Sequence, residues 1–159
     1  MLVRTWREFE TESPAIAEAG QRLLVGPDGV AIAFLATASG NGTPHLAPVC
    51  PIFSDGRLYL SAASSTPKVR DLRENPRFAL HSFLGANDEE FQIRGVATEV
   101  ESSRERNTVL SAIKFGSFDA SHPIFDLSIA RALWVHWERV GEPDTRPVRR
   151  SWSADPGAA

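Results

Sequence analysis

The sequence predicts a mainly β chain with peripheral helices, its six strands paired antiparallel in one barrel or sandwich. Three observations carry this expectation. Short apolar or alternating segments recur, five of them between Val30 and Glu101. Turn clusters such as Ser39-Gly40-Asn41-Gly42 and Ser54-Asp55-Gly56 join most of them, and connections that short suit hairpins rather than crossovers. Helix signals are too sparse and too unevenly placed for a parallel βαβ sheet.

Taken in order, Thr5 with Glu8 has capping-box spacing and opens a short helical turn with Trp6 and Phe9. Ser13-Pro14 starts a second helix with Ile16, Gly20, Leu23 and Leu24 on one face. Gly20 reads as a point of close packing. Gly26-Pro27-Asp28-Gly29 stops that helix, and Val30 to Ala38 follows as a continuous apolar run too short for a typical helix, hence a buried strand. Strands are expected at Pro44 to Phe53, Arg57 to Ala62, Arg77 to Leu84 and Glu90 to Glu101, with Gly95 marking a bulge or a close backbone approach. Ser102 with Glu105 opens a helix carrying Val109, Leu110 and Ile113. A loop from Phe115 to Asp126, with Gly116 and His122-Pro123, leads to a last strand from about Ser128 to Val140. Residues 1–140 read as one domain and 141–159, rich in Pro, Arg, Ser, Gly and Ala, as a poorly packed tail.

The totals exclude several classes of function. A chain of 159 residues can close one core without staples, and a single cysteine, Cys50, excludes an internal disulfide. Neither a signal-like segment nor an apolar run of about 20 residues is present, so a cytoplasmic protein without membrane insertion is expected. A net charge of −3 argues against a nucleic-acid partner. His45, His81, His122 and His136 lack metal-ligand spacing, so no metal is expected. Cys50 reads as a small buried hydrophobe and His81 as a residue of a substrate pocket. Trp134 and Trp137 fall on opposite faces of their strand. No dyad or triad for acid–base or nucleophilic catalysis can be identified.

The most informative stretch is Ser61 to Arg77. Thr66 is a good N-cap, Pro67 suits the first helical position, and Asn75-Pro76 closes the helix, Asn75 being able to take the left-handed conformation. The free N–H groups of that helix start would meet the hydroxyls of Ser64, Ser65 and Thr66 and the ammonium of Lys68, which together suit a phosphate. Lys68 is one of two lysines among seventeen basic residues, so a point charge replaces the usual arginine fork at this position. The same residues would equally serve an ordinary capped surface helix, with Asp71 and Glu74 pairing Arg70, Arg73 or Arg77 on a solvated face.

The order of parts carries a resemblance. Ala36-Thr37, Gly42-Thr43-Pro44-His45, Pro48-Val49, Asp55-Gly56-Arg57-Leu58-Tyr59-Leu60, Lys68-Val69-Arg70-Asp71-Leu72, Asn75-Pro76-Arg77 and Glu90-Phe91 followed by Gly95-Val96-Ala97 run in sequence between Trp6 and Val140. In this order they resemble the pyridoxamine 5'-phosphate oxidase-like, flavin-binding split-barrel family. The resemblance implies a six-stranded antiparallel Greek-key split β-barrel that forms a homodimer with two flavins at the subunit interface. It places Thr66 and Lys68 on the cofactor phosphate, with Ser64 and Ser65 beside them. It lays Pro48, Val49, Cys50 and Pro51 along the isoalloxazine, adds Ser61 and Ala62 from the next strand, and brings Glu90 from the partner subunit. The tryptophan and arginine motifs that hold pyridoxal phosphate in the oxidase proper have no counterpart in Arg131 to Trp152, which points away from vitamin B6 oxidation. Leu80-His81-Ser82 with Asp88-Glu89-Glu90-Phe91 looks more like the branch that includes users of the deazaflavin coenzyme. The cofactor expected is therefore FMN, with the deazaflavin coenzyme as alternative, and the function is hydride transfer to a small conjugated acceptor, with a non-catalytic flavin- or haem-binding protein as the rival.

Overall fold

The computed structural model describes residues 1–114, 119 and 121–157. Helix α1 (Trp6–Glu12) starts at a complete capping box, Thr5 with Glu8, and buries Trp6 and Phe9. Helix α2 (Pro14–Leu24) begins with Pro14 in its first turn. It packs so closely on the sheet that a Cβ at Gly20 would overlap the Phe91 ring.

Eight strands form one curled sheet: β1 (Ala33–Ala38), β2 (Pro44–Val49), β3 (Ile52–Ser54), β4 (Arg57–Ser61), β5 (Arg77–Ser82), β6 (Glu90–Glu99), β7 (Ile124–Glu138) and β8 (Arg146–Ser153). Their hydrogen-bonded order is β2-β1-β5-β6-β7-β4-β3, with β8 on β7, and every pairing is antiparallel. Only Cys50 and Pro51 separate β2, at one end of this order, from β3, at the other. The three steps from Val49 to Ile52 span at most about 11 Å, so the sheet must curl until its edges approach, leaving a split barrel.

Helix α3 (Pro67–Glu74) lies between β4 and β5, and α4 (Ser103–Ala112) between β6 and β7. The main core runs from Trp6 and Phe9 through Leu35, Leu58, Leu80, Phe91 and Ile93 to Leu127 and Ile129, and a smaller cluster of Ile52, Tyr59, Val100, Val109 and Ile124 sits beneath α4. Two glycines settle local strand geometry. Asp55 and Gly56, both at positive φ, make the two-residue β3–β4 turn. Gly95 is at the bulge expected there: the β6–β7 register shifts between Arg94 and Gly95, and a Cβ would run into the Ser128 carbonyl oxygen.

The strand count departs from six for two reasons. Pro44 to Phe53 is interrupted at Cys50-Pro51, where the chain passes from one edge of the sheet to the other and Pro51 has no N–H to offer a ladder. The segment expected as a poorly packed tail carries β8, whose Val148 and Trp152 alternate with arginines and serines along β7. Boundaries shift as well. The strand expected from Val30 begins at Ala33, Ala31 making only an isolated bridge to Val25, and the strand expected from Ser128 begins at Ile124. Of the expected loop from Phe115 to Asp126, residues 115–118, Gly116 included, and 120 lie outside the described residues. No described helix is long and apolar enough to cross a membrane.

Candidate functional site

The split is where sequence-expected site residues meet. A groove of about 260 Å³ is lined by Pro48, Val49 and Cys50 at the end of β2, by Leu60, Ser61, Ala62 and Ala63 at the end of β4, and by Thr66 and Lys68 at the start of α3. The two walls come from opposite ends of the hydrogen-bonded order, so the groove exists only because the barrel closes. Pro51 is buried and faces a separate hollow beside Val30, Ala31 and Ile52. Ser64 and Ser65 are exposed on the turn outside the groove lining.

The groove contains one buried polar group without a partner among the described residues. Ser61 Oγ is buried and makes no hydrogen bond. Thr66 occupies the N-cap position by its backbone, but its hydroxyl donates 2.8 Å to the Ala63 carbonyl instead of capping the helix. The expectation of a side-chain cap is thereby corrected: the Thr66 hydroxyl tightens the 63–66 turn and leaves the start of α3 without a side-chain cap, while the Val69 N–H turns back on the Thr66 carbonyl. Asn75 is corrected too, since it is extended rather than left-handed, as the residue before a proline favours. Cys50 is half-buried in the groove wall rather than within a strand, and burial pushes its thiol pKa up, with the Asp28 carboxylate adding to it. It is therefore a thiol and a contact surface at neutral pH, not a nucleophile.

One turn along α3 from Lys68, Asp71 is fully buried. Its Oδ2 accepts from Thr37 Oγ1 at 2.7 Å and from His45 Nδ1 at 2.6 Å. Burial alone would raise the Asp71 pKa, but the hydrogen bonds from Thr37 and His45 outweigh it and hold the carboxyl below its ordinary value. Asp71 thus fastens α3 to the β1–β2 hairpin, where Thr37 and His45 are cross-strand neighbours. The alternative of an ordinary surface helix puts Asp71 on a solvated face among the arginines around it. The contrary signal was its place between Val69 and Leu72, both buried.

Glu90 begins β6 opposite Val135, outside the groove of its own chain, with its carboxylate 3.4 Å from His81 Nε2. A wider hollow of about 660 Å³ beneath α4, unforeseen from the sequence, is lined by Arg57, Tyr59, Glu99, Glu105 and Asp126 among others. Its charges are largely spent on each other: Arg57 pairs with Asp126, Tyr59 donates to Glu105, and Glu99 holds Arg73. Burial lifts the Tyr59 pKa far above its usual value, the bond to Glu105 adding to it, so the phenol stays protonated. Among the described residues no group of three or more His, Cys, Asp or Glu could hold a metal ion.

Against known proteins, the family model for pyridoxamine 5'-phosphate oxidase matches residues 28–135, well over half of the chain. No curated protein matches the chain in sequence. Among solved structures, a pyridoxamine 5'-phosphate oxidase-related, FMN binding protein from Nostoc punctiforme superposes with a TM-score of 0.62 at 17% identity, over 91% of this chain and 96% of that one. A heme binding protein from Mycobacterium smegmatis gives 0.61 at 18% identity over 86% of this chain, which spans only 57% of that protein. The heme storage protein HutZ from Vibrio cholerae gives 0.58 at 18% identity, over 74% of this chain and 89% of that one. At these identities the likeness is one of fold. The matched family model and the curled, split antiparallel sheet agree: the chain belongs to the pyridoxamine 5'-phosphate oxidase-like split-barrel family.

Proposed function

We propose that this protein is a cytoplasmic, homodimeric flavin-dependent oxidoreductase that binds FMN in the groove between β2, β4 and α3. The observation that carries the reading is the groove's chemistry: a buried Ser61 hydroxyl without a partner and a half-buried Lys68 beside a helix start that no side chain caps. Buried polar groups are rarely left unpaired unless something external satisfies them. A phosphate suits the Lys68 end through charge and the helix dipole. A flat conjugated ring suits the apolar wall of Pro48, Val49, Cys50 and Ala62, with Ser61 Oγ offering it a hydrogen bond. These residues fit a flavin, and the FMN-binding structural neighbour supports that choice.

Bound flavin supplies reversible hydride transfer; the chain supplies position, charge and exclusion of water. Lys68 neutralises the phosphate, Thr66 keeps the 63–66 turn tight beneath it, and Asp71 with His45 and Thr37 holds α3 at a fixed angle to β2. Apart from Lys68 and Cys50 no titratable side chain among the described residues lines the groove, so the groove itself offers an acceptor no carboxylic or imidazole acid. Small conjugated acceptors suit such a groove. The deazaflavin coenzyme, which also carries a phosphate, is the alternative cofactor.

The dimer rests on the outer face of the sheet. Leu46 is 69% and Phe83 45% exposed, and Phe34 packs on Phe83 with ring centroids 4.5 Å apart. A partner covering this patch would also bring its Glu90 and His81, which share the outer face, toward the neighbouring groove. A second reading is a binder without turnover, supported by the heme-binding neighbours. Haem in this groove would find no histidine, methionine or tyrosine among the described residues that line it, which favours flavin.

The deciding experiment records the absorbance of the purified protein, then titrates apo-protein with FMN and, separately, with the deazaflavin coenzyme. A nicotinamide donor should bleach the bound flavin and an added quinone should restore it. A bound chromophore inert to donors establishes the binder, and no binding of either cofactor removes the proposal.

A further inference from the structure

Three arginines meet on the outer face of the sheet, at the end of β5 away from Phe83. Ala79, two residues along from Arg77, pairs with Arg94, and Arg94 stands directly opposite Arg131 across the β6–β7 ladder. Like charges directly opposed in an antiparallel pair destabilise it, and Arg77 adds a third charge on the diagonal. Elsewhere Arg22, Arg57, Arg73 and Arg139 each meet a carboxylate. The guanidinium groups of Arg77 and Arg94 meet none among the described residues. All three arginines line a cavity of about 440 Å³, within the size range of small-molecule sites, whose apolar side is Leu2, Phe78 and Ala130. Asp155 is the carboxylate in its lining, and the Ser153 hydroxyl beside it is spent within its own turn, donating to the Asp155 carbonyl at 2.8 Å. A second hollow of about 330 Å³ shares Arg94, Arg131, Ser153 and Asp155 and extends the space toward Trp152.

We propose that this cavity is a second ligand site, separate from the cofactor groove, for an amphiphilic organic anion. A carboxylate or phosphate head would lie between the guanidinium forks of Arg77 and Arg94 beside Arg131, and a compact apolar body would rest against Leu2 and Ala130.

Isothermal calorimetry on the full chain tests this with 2-naphthoate, 2-naphthyl phosphate, inorganic phosphate and neutral 2-naphthalenemethanol. The two naphthyl anions should bind once per chain with affinity that falls as salt rises, and the tighter of the two identifies the head. Arg94→Gln and Arg77→Gln, both at exposed positions, should each weaken that binding at least tenfold without lowering Tm, and Arg94→Lys should recover part of it. Lys68→Ala should leave it unchanged. The proposal falls if the naphthyl anions do not bind, if naphthalenemethanol or inorganic phosphate binds as tightly as they do, if the glutamine variants bind like wild type, or if Lys68→Ala abolishes binding, which would move the anion to the cofactor groove.

Discussion

Lys68 and Asp71 stand one turn apart on α3, yet their surroundings are opposite. Around Asp71 the carboxylate is sealed from water and its Oδ2 gathers donors from two strands, while Oδ1 has no partner among the described residues. Around Lys68 the neighbouring polar groups stay open: the helix start is uncapped by any side chain and Ser61 Oγ is buried with no partner. The difference separates two uses of polarity. The bonds made within the chain through Asp71 Oδ2 fix the position of α3; around Lys68 the charge and the uncapped helix start stand at a groove that a ligand can enter.

The largest effect should come from the sealed end. Asp71→Ala removes two hydrogen bonds to a buried carboxylate and is expected to cost about 3 kcal/mol of folding stability, read by urea denaturation. Because the folded pKa of Asp71 is lowered, its contribution is complete above the unfolded value and fades as pH falls below about 4. Wild type should therefore lose stability on that acid limb faster than Asp71→Asn, and parallel acid limbs would show that the carboxylate is not what fastens the helix.

At the open end, Lys68→Ala should weaken FMN binding by roughly 1.5–3 kcal/mol, the range of a charge-assisted hydrogen bond. Its denaturation midpoint without cofactor should match wild type. An unchanged Kd would detach the phosphate from α3. Ser61→Ala sharpens the contrast by reversing sign between states: apo-protein should gain up to about 1 kcal/mol through loss of an unpaired buried hydroxyl, while FMN affinity drops by about the same amount. If both quantities fall together, the Ser61 hydroxyl has a partner within the fold and the distinction between the two ends of α3 weakens.

Local signals made much of this legible in the sequence. The capping box at Thr5 and Glu8, the Pro67 helix start, the Asp55-Gly56 turn and the Gly95 bulge each depend on residues within a few positions, and each occurs where those residues require it. Features decided across long separations were not readable. Asp71 is bonded to residues 34 and 26 positions away, and no local pattern announces that. β8 alternates weakly and is rich in arginine, so only the long β7 edge beside it makes it a strand. Thr66 has the composition of a cap, but the Ala63 carbonyl competes for its hydroxyl. Of the expected site, Pro48, Val49, Cys50, Ser61, Ala62, Thr66 and Lys68 share the groove, while Pro51, Ser64 and Ser65 stand outside it because a dipeptide joint and an exposed turn carry them away.

The joint at Cys50-Pro51 has a kinetic consequence. Hairpins β1–β2 and β3–β4 are local and can form early, but the groove needs β4 to find β7, a pairing such as Tyr59 with Asp126 that closes a long loop and costs correspondingly more chain entropy. The walls meet only at that last closure. Cofactor capture during refolding would therefore lag the recovery of far-UV ellipticity, and stopped-flow quenching of flavin fluorescence would time the moment when the barrel's two edges come together.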